Sequence, residues 1–135
     1  MPRSSAPRRA LPSLPLALTL GEPAGIGPDI AIDVWRRREA LALPPFYLVA
    51  DPGYILARAR RLGVAAPIRE VAPSEAAAAF ALALPIVPLD LAVTAEPGHP
   101  DATSAPAAIA AIRRAVADVI SGSTPKPKDL CRLPS

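Results

Sequence analysis

The chain has 135 residues, a formal net charge of +3, 51% hydrophobic but only 4% aromatic residues, and 19 prolines. That is long enough for one domain with a core, and no apolar run approaches the roughly 18 residues a membrane-spanning helix needs. The charge argues against a nucleic-acid surface: residues 1–13 carry +3 and residues 123–135 carry +2, leaving −2 for residues 14–122, where a basic binding face should sit.

The single cysteine, Cys131, forms no intrachain disulfide and demands no oxidising compartment. Arg3, Arg8 and Arg9 precede an apolar stretch, but Pro12 and Pro15 interrupt it and no A-x-A-like cleavage site follows before Gly21. Residues 1–13 are therefore expected to be a disordered leader, and the protein to be cytoplasmic with no membrane or nucleic-acid partner.

Leu14 to Leu20 is a continuous apolar run, the pattern of a buried parallel strand. Gly21-Glu22-Pro23-Ala24-Gly25-Ile26-Gly27-Pro28-Asp29 follows as a glycine-rich turn, with Pro28 where a first helical turn accepts proline. The next segment is helical, with Ile30, Val34 and Leu41 expected inward, and Pro44-Pro45 stops it. Phe46 to Ala50 is rich in β-formers and reads as the second strand. Asp51-Pro52 supplies an N-cap and a first-turn proline for a second helix. That helix is expected to turn Ile55, Ala59 and Leu62 inward and Arg58, Arg60 and Arg61 outward, with Gly63 as its stop.

Ile68 to Val71 reads as a short third strand and Ser74 to Ala83 as a short helix capped by Ser74. Leu84 to Leu89 reads as an edge strand, since Pro85 and Pro88 argue against a central position. Residues 90–103 form a loop. The clearest helix carries Ile109, Ile112, Val116 and Val119 or Ile120 at spacings of three and four; Thr103 or Ser104 caps it and Gly122 ends it. Ser123 to Ser135 has no period and three prolines, and is expected to be an unstructured tail. Alternating strands and helices imply a parallel sheet covered on both faces.

The glycine turn is the main chemical signal. Backbone N–H groups at a helix start can face an anionic ligand, yet the spacing is neither the dinucleotide fingerprint nor a Walker A loop. Glu22 and Asp29 would repel a phosphate unless a metal or an arginine intervened. On spacing, a ligand loop and a plain strand-to-helix turn stand about equal. His99 is the only histidine and reads as a solvated loop residue, because a metal site typically needs about three or four ligands. No catalytic triad is recognisable.

Leu20 to Asp29 resembles the N-terminal signature of the 4-hydroxythreonine-4-phosphate dehydrogenase family. Phe46 to Asp51, Leu84 to Leu89, Pro97-Gly98-His99-Pro100-Asp101 and the helix through Gly122 follow in the family's order. The resemblance covers residues 14–122. The isocitrate and isopropylmalate dehydrogenases share only the Gly-Ile-Gly-Pro-acid core. It implies the N-terminal part of a two-domain α/β fold of the isocitrate/isopropylmalate dehydrogenase type, with a mostly parallel sheet that is incomplete here. It also implies NAD-dependent oxidation and decarboxylation of a small phosphorylated hydroxy acid, a divalent metal held by histidines, and a homodimer.

The cofactor cleft would be lined by Gly21, Glu22, Gly25, Gly27 and Asp29. Family chains are well over twice this length, and their substrate and metal histidines lie beyond the region matched here, so their roles do not pass to His99. The expectation is a truncated or frameshifted family member whose residues 123–135 are read out of register. Such a chain would be marginally stable and inactive alone, with no catalytic or metal residue of its own. The rival expectations are a small non-catalytic module that binds phosphate or nucleotide, and a pseudo-subunit that docks on a full-length paralogue.

Overall fold

The structure of the chain, a computed structural model, describes residues 14–126; the expected leader and residues 127–135 of the expected tail lie outside them. The elements are β1 (Leu16–Leu18), α1 (Gly27–Arg36), β2 (Phe46–Ala50), α2 (Pro52–Leu62), β3 (Ile68–Glu70), α3 (Ala76–Ala79), β4 (Leu84–Pro88) and α4 (Ser104–Ser121), with a single 3-10 turn at Pro73–Glu75. The four strands form one parallel sheet in the order β1-β2-β4-β3.

Strand alternation in β2 sorts the core into two layers. Phe46, Leu48 and Ala50 point to α1 and α2, where Ala31, Ile32, Trp35, Ile55 and Ala59 meet them. Tyr47 and Val49 point to the opposite layer with Val87, Ala76, Ala79 and Ala111 of α3, α4 and β4. All five residues of β2 are buried, as a parallel strand covered on both faces requires.

Two strand positions reverse the sequence expectation. β4 is central, between β2 and β3, while β1 is the edge, with Leu16 and Ala17 half-buried and Leu18 exposed. The prolines are tolerated because of where their missing amides fall. Leu84 N donates to Pro67 O (2.8 Å) and Val71 N to Ile86 O (2.9 Å), so even-numbered positions of β4 bond toward β3. Leu89 N donates to Ala50 O (3.0 Å), so odd positions bond toward β2. Pro88 thus faces β3 beyond its last residue, and Pro85 faces β2 ahead of the first paired position, Leu48 with Ile86. Neither proline breaks an occupied rung.

The helix faces also shift. In α1 the buried set is Pro28, Ala31, Ile32 and Trp35, while Ile30 and Leu41 are exposed. Trp35 Nε1 donates to Phe80 O (3.0 Å), Arg38 lies 4.0 Å over its ring, and Phe46 and Phe80 pack edge to face. In α2, Asp51 caps Gly53 N (3.1 Å) and Gly63 ends the helix at φ +67, as expected; Leu62 is exposed and Arg58 is buried. The expected Ser74 cap is not made; Glu75 reaches back to Ala72 N instead (3.3 Å). α4 ends at Gly122 with φ +83, but it packs through Ala107 and Ala111, leaving Ile109, Ile112, Val116 and Ile120 exposed.

What ties α4 to the sheet is polar. Tyr47 Oη, fully buried on β2, donates to Asp118 Oδ2 (2.7 Å), whose other oxygen accepts from Arg114 Nε (3.0 Å). Burial first, then the Asp118 hydrogen bond and charge, holds the Tyr47 phenol well above its ordinary value of 10.0. A folded-state value above the unfolded one contributes stability that is complete below pH 10 and lost as pH rises beyond it. Urea titrations at pH 8 and above pH 10 should show that decline in the wild type. In Tyr47→Phe the decline should be shallower, after a cost of about 1–2 kcal/mol at pH 8.

Candidate functional site at the glycine turn

The turn between β1 and α1 is bent by its glycines and closed by its own polar atoms. Gly21 adopts φ +66, a region that disfavours side chains, and a Cβ on Gly27 would lie 2.2 Å from Leu20 O. Gly27 therefore lets the start of α1 lie directly on the backbone of Leu20, two residues past β1. Glu22 folds over the bend: its carbonyl accepts from Gly25 N (2.9 Å) and its Oε1 from Ala24 N (3.0 Å). Pro23 and Ala24 are buried, Gly25, Gly27 and Asp29 half-buried, and Gly21 and Glu22 exposed.

A clamp from α2 holds the turn. The Arg58 guanidinium donates through Nη1 to Gly25 O (3.1 Å) and to Asp29 Oδ2 (2.9 Å), and through Nη2 to Pro23 O (3.1 Å) and to Tyr54 Oη (3.1 Å). Tyr54 Oη donates in turn to Pro23 O (2.9 Å). Arg58 is 4% exposed and Asp29 32%. One buried cation thus satisfies two turn carbonyls and neutralises the carboxylate in the first turn of α1.

The loop after β4 closes over the other side. Gly98 N donates to Ala24 O (2.7 Å), which joins the Pro97–Asp101 segment to the glycine turn. Asp51 serves twice, capping α2 with Oδ1 and accepting Val93 N with Oδ2 (2.9 Å). Asp101 accepts from the Thr103 hydroxyl and amide and from Thr94 Oγ1, and these bonds hold its carboxyl below the ordinary carboxylate value. His99 is exposed, its Nδ1 3.2 Å from Pro97 O.

These parts meet at the C-terminal ends of the strands, the position where parallel α/β sheets bind ligands. A cleft of about 530 Å³ lies between α2 and the post-β4 loop, bordered by Asp51, Tyr54, Arg58, Arg61, Thr94 and Glu96. A narrow crevice beside it touches Gly21, Pro23, Asp51 and Tyr54. Asp29 instead borders a separate groove with Asp33 and Arg36. The five residues expected at the cofactor cleft therefore share one turn but do not converge on one cavity. The arrangement offers hydroxyl, carboxylate and guanidinium groups for hydrogen bonding. Among the described residues no group of three or more His, Cys, Asp or Glu side chains could hold a metal ion, so they do not fit the divalent metal of the resemblance.

No family model matches the chain. It is 57% identical over 116 residues to a 4-hydroxythreonine-4-phosphate dehydrogenase of Bradyrhizobium diazoefficiens, covering 80% of this chain and 34% of that protein. A protein of the same name from Xanthobacter autotrophicus is 48% identical over 108 residues, covering 80% and 31%. The crystal structure of the Klebsiella pneumoniae 4-hydroxythreonine-4-phosphate dehydrogenase superposes with a TM-score of 0.68 at 26% identity, covering 82% of this chain and 35% of that one. In sequence and fold the chain is thus similar to one part of the 4-hydroxythreonine-4-phosphate dehydrogenases. It spans about a third of the length of the curated relatives it matches.

Within the family stretch, the structure brings together two segments that the sequence related only by order, the glycine turn and Pro97–Asp101. At this site, sequence reasoning misplaced Arg58, expected on the solvent face and found buried. Its position carried the signal: Arg58 follows Ile55 by three residues and adjoins Ala59, both buried, so it lies on the inward face of α2. Arg58→Met should destabilise the chain by about 2–3 kcal/mol, because Asp29 and the Gly25 carbonyl lose their donor and the Pro23 carbonyl keeps only Tyr54. Gly27→Ala should cost about 1–3 kcal/mol by overpacking against Leu20. Chemical denaturation of both variants checks these values.

Proposed function

We propose that this chain is the glycine-turn part of a 4-hydroxythreonine-4-phosphate dehydrogenase that oxidises and decarboxylates 4-phosphooxy-threonine on the way to pyridoxal phosphate. The observation that carries this reading is the 57% identity over 116 residues to the Bradyrhizobium relative. It is supported by the hydrogen bond that joins the two family-like motifs at the C-terminal ends of the strands. Bound NAD would accept the hydride released from the substrate's hydroxyl-bearing carbon, and the carboxylate would leave as carbon dioxide.

In that reading Gly21, Glu22, Gly25, Gly27 and Asp29 belong to the turn beside the cofactor cleft, Gly21 bordering its neighbouring crevice and Asp29 a separate groove. Arg58 is the arginine that offsets Asp29, so the turn presents one exposed carboxylate, Glu22, rather than two. A carboxylate there suits a ribose hydroxyl better than a phosphate. The metal-binding and substrate-binding histidines implied by the resemblance have no counterpart in a chain whose only histidine is His99. The chain alone is accordingly inactive, and a cytoplasmic homodimer of the longer enzyme is the setting in which the turn would work.

The purified chain mixed with NAD, the phosphorylated substrate and a divalent metal should yield no NADH, and sustained NADH production would overturn the claim of inactivity. Joined or co-expressed with the remaining two-thirds of the Bradyrhizobium relative, it should reduce NAD. There Glu22→Ala should raise the KM for NAD about tenfold, the loss of roughly one hydrogen bond to a charged group, with a smaller change in kcat. A folded assembly without turnover would reject the dehydrogenase reading.

A further inference from the structure

The cleft between α2 and the loop after β4 has most of its hydrogen-bonding capacity already spent. Asp51 accepts two amides, from Gly53 and Val93, and Arg58 makes its four bonds to the turn and to Tyr54. Tyr54 Oη donates to Pro23 O, and Thr94 Oγ1 donates to Asp101. Two charged side chains of the lining remain, Arg61 on α2 and Glu96 on the loop, both exposed. The ion pairs among the described residues are Arg37–Asp33, Arg58–Asp29 and Arg114–Asp118. Arg61 and Glu96 therefore border one cleft without meeting. Both are held from the backbone. Arg61 lies in the last turn of α2, and Glu96 follows the buried Ala95, with the Glu96 carbonyl accepting His99 N (2.8 Å).

We propose that this cleft binds a small phosphate ester that also carries a hydrogen-bond donor, Arg61 taking the phosphate and Glu96 a hydroxyl or ammonium group. The volume of about 530 Å³ is in the range that holds a small ligand or a segment of a larger one. An unpaired guanidinium at its border matches a phosphate bidentately. Glu96 repels a bare anion at the same place, so the ligand must bring a group from which a carboxylate can accept. Ala57, Val93 and Pro97 add apolar surface for its carbon skeleton. The dinucleotide and the phosphorylated substrate of the preceding section both have this chemistry. Which of the two enters rests on that reading, whereas the chemistry of the cleft does not.

The test is a set of titrations of the full 135-residue chain, followed by its amide NMR shifts. The probes are NAD, 4-phosphooxy-threonine, and sulfate as an anion without a donor. At least one ester should move the amides of Gly53, Arg61 and Glu96 saturably. Arg61→Gln should weaken that ester about tenfold, while Arg60→Gln, also exposed but outside the cleft, should not. Glu96→Ala should act with opposite signs, weakening the ester and tightening sulfate. Because these side chains are exposed, circular dichroism should be unchanged by each substitution. In the enzyme assembled with the rest of the Bradyrhizobium relative, Arg61→Gln should raise the KM for the same ester and not for the other, which identifies the source.

Absence of saturable shifts with both esters, an affinity indifferent to Arg61→Gln, or a Glu96→Ala chain that binds ester and sulfate more tightly alike would each overturn the proposal. If a variant loses its fold, competition in the wild type decides: sulfate that fails to displace the ester overturns it as well. Binding with the expected signs but no NADH from the assembled enzyme upholds the cleft assignment and counts against the dehydrogenase reading alone. Turnover with both KM values unchanged in Arg61→Gln does the reverse.

Discussion

The four hydrogen bonds of the Arg58 guanidinium are the constraint on which the candidate site depends. A strand-to-helix turn with three glycines has many conformations available when unfolded, so its native path must be held by something stiffer than its own backbone. A planar guanidinium suits the task because its donors point in fixed directions. Burying it is costly, and here the cost is offset by Asp29, by two carbonyls and by the Tyr54 hydroxyl. The same bonds fix α1 relative to α2, so the turn and the helix layer over β2 are one mechanical unit.

From that unit the rest of the C-terminal edge follows. Asp51 joins the end of β2 to both α2 and the loop after β4, and Gly98 joins that loop to Ala24. Every contact between these connections is a backbone group meeting either a side chain or another backbone group. The cleft of about 530 Å³ is therefore bordered by segments whose positions are set before any ligand arrives, which lowers the ordering cost a ligand would otherwise bear.

Much of the fold was legible in the sequence, and the errors share a cause. The alternation of strands and helices, the parallel sheet, the Asp51 cap and the stops at Gly63 and Gly122 come from local chemistry, and local chemistry is what a sequence displays. Strand order is not local. Leu14 to Leu20 looked more buried than Leu84 to Leu89 because it lacks internal proline pairs, yet β1 is the edge and β4 is central. Ladder direction decided the matter: each proline of β4 falls where its neighbour has no partner to offer. In α1 the larger aliphatic residues drew attention from the inward set of Pro28, Ala31, Ile32 and Trp35. In α2 an arginine was assigned to solvent by type although its spacing placed it inward. The turn was visible as glycines; its clamp was not, because residues 33 positions apart meet only in three dimensions.

α4 carries a clear helical period, and that period was correct about the helix and silent about its neighbour. A run of Ile and Val at spacings of three and four reports that one face is apolar; it does not report which body covers that face. In this chain the sheet takes the alanine face instead, because small side chains let the helix lie close to Tyr47 and let Asp118 reach its hydroxyl. The larger residues are left outward, where a self-sufficient domain would place charge. Among the described residues, α4 thus has an alanine face covered by the sheet and a branched aliphatic face covered by none of them.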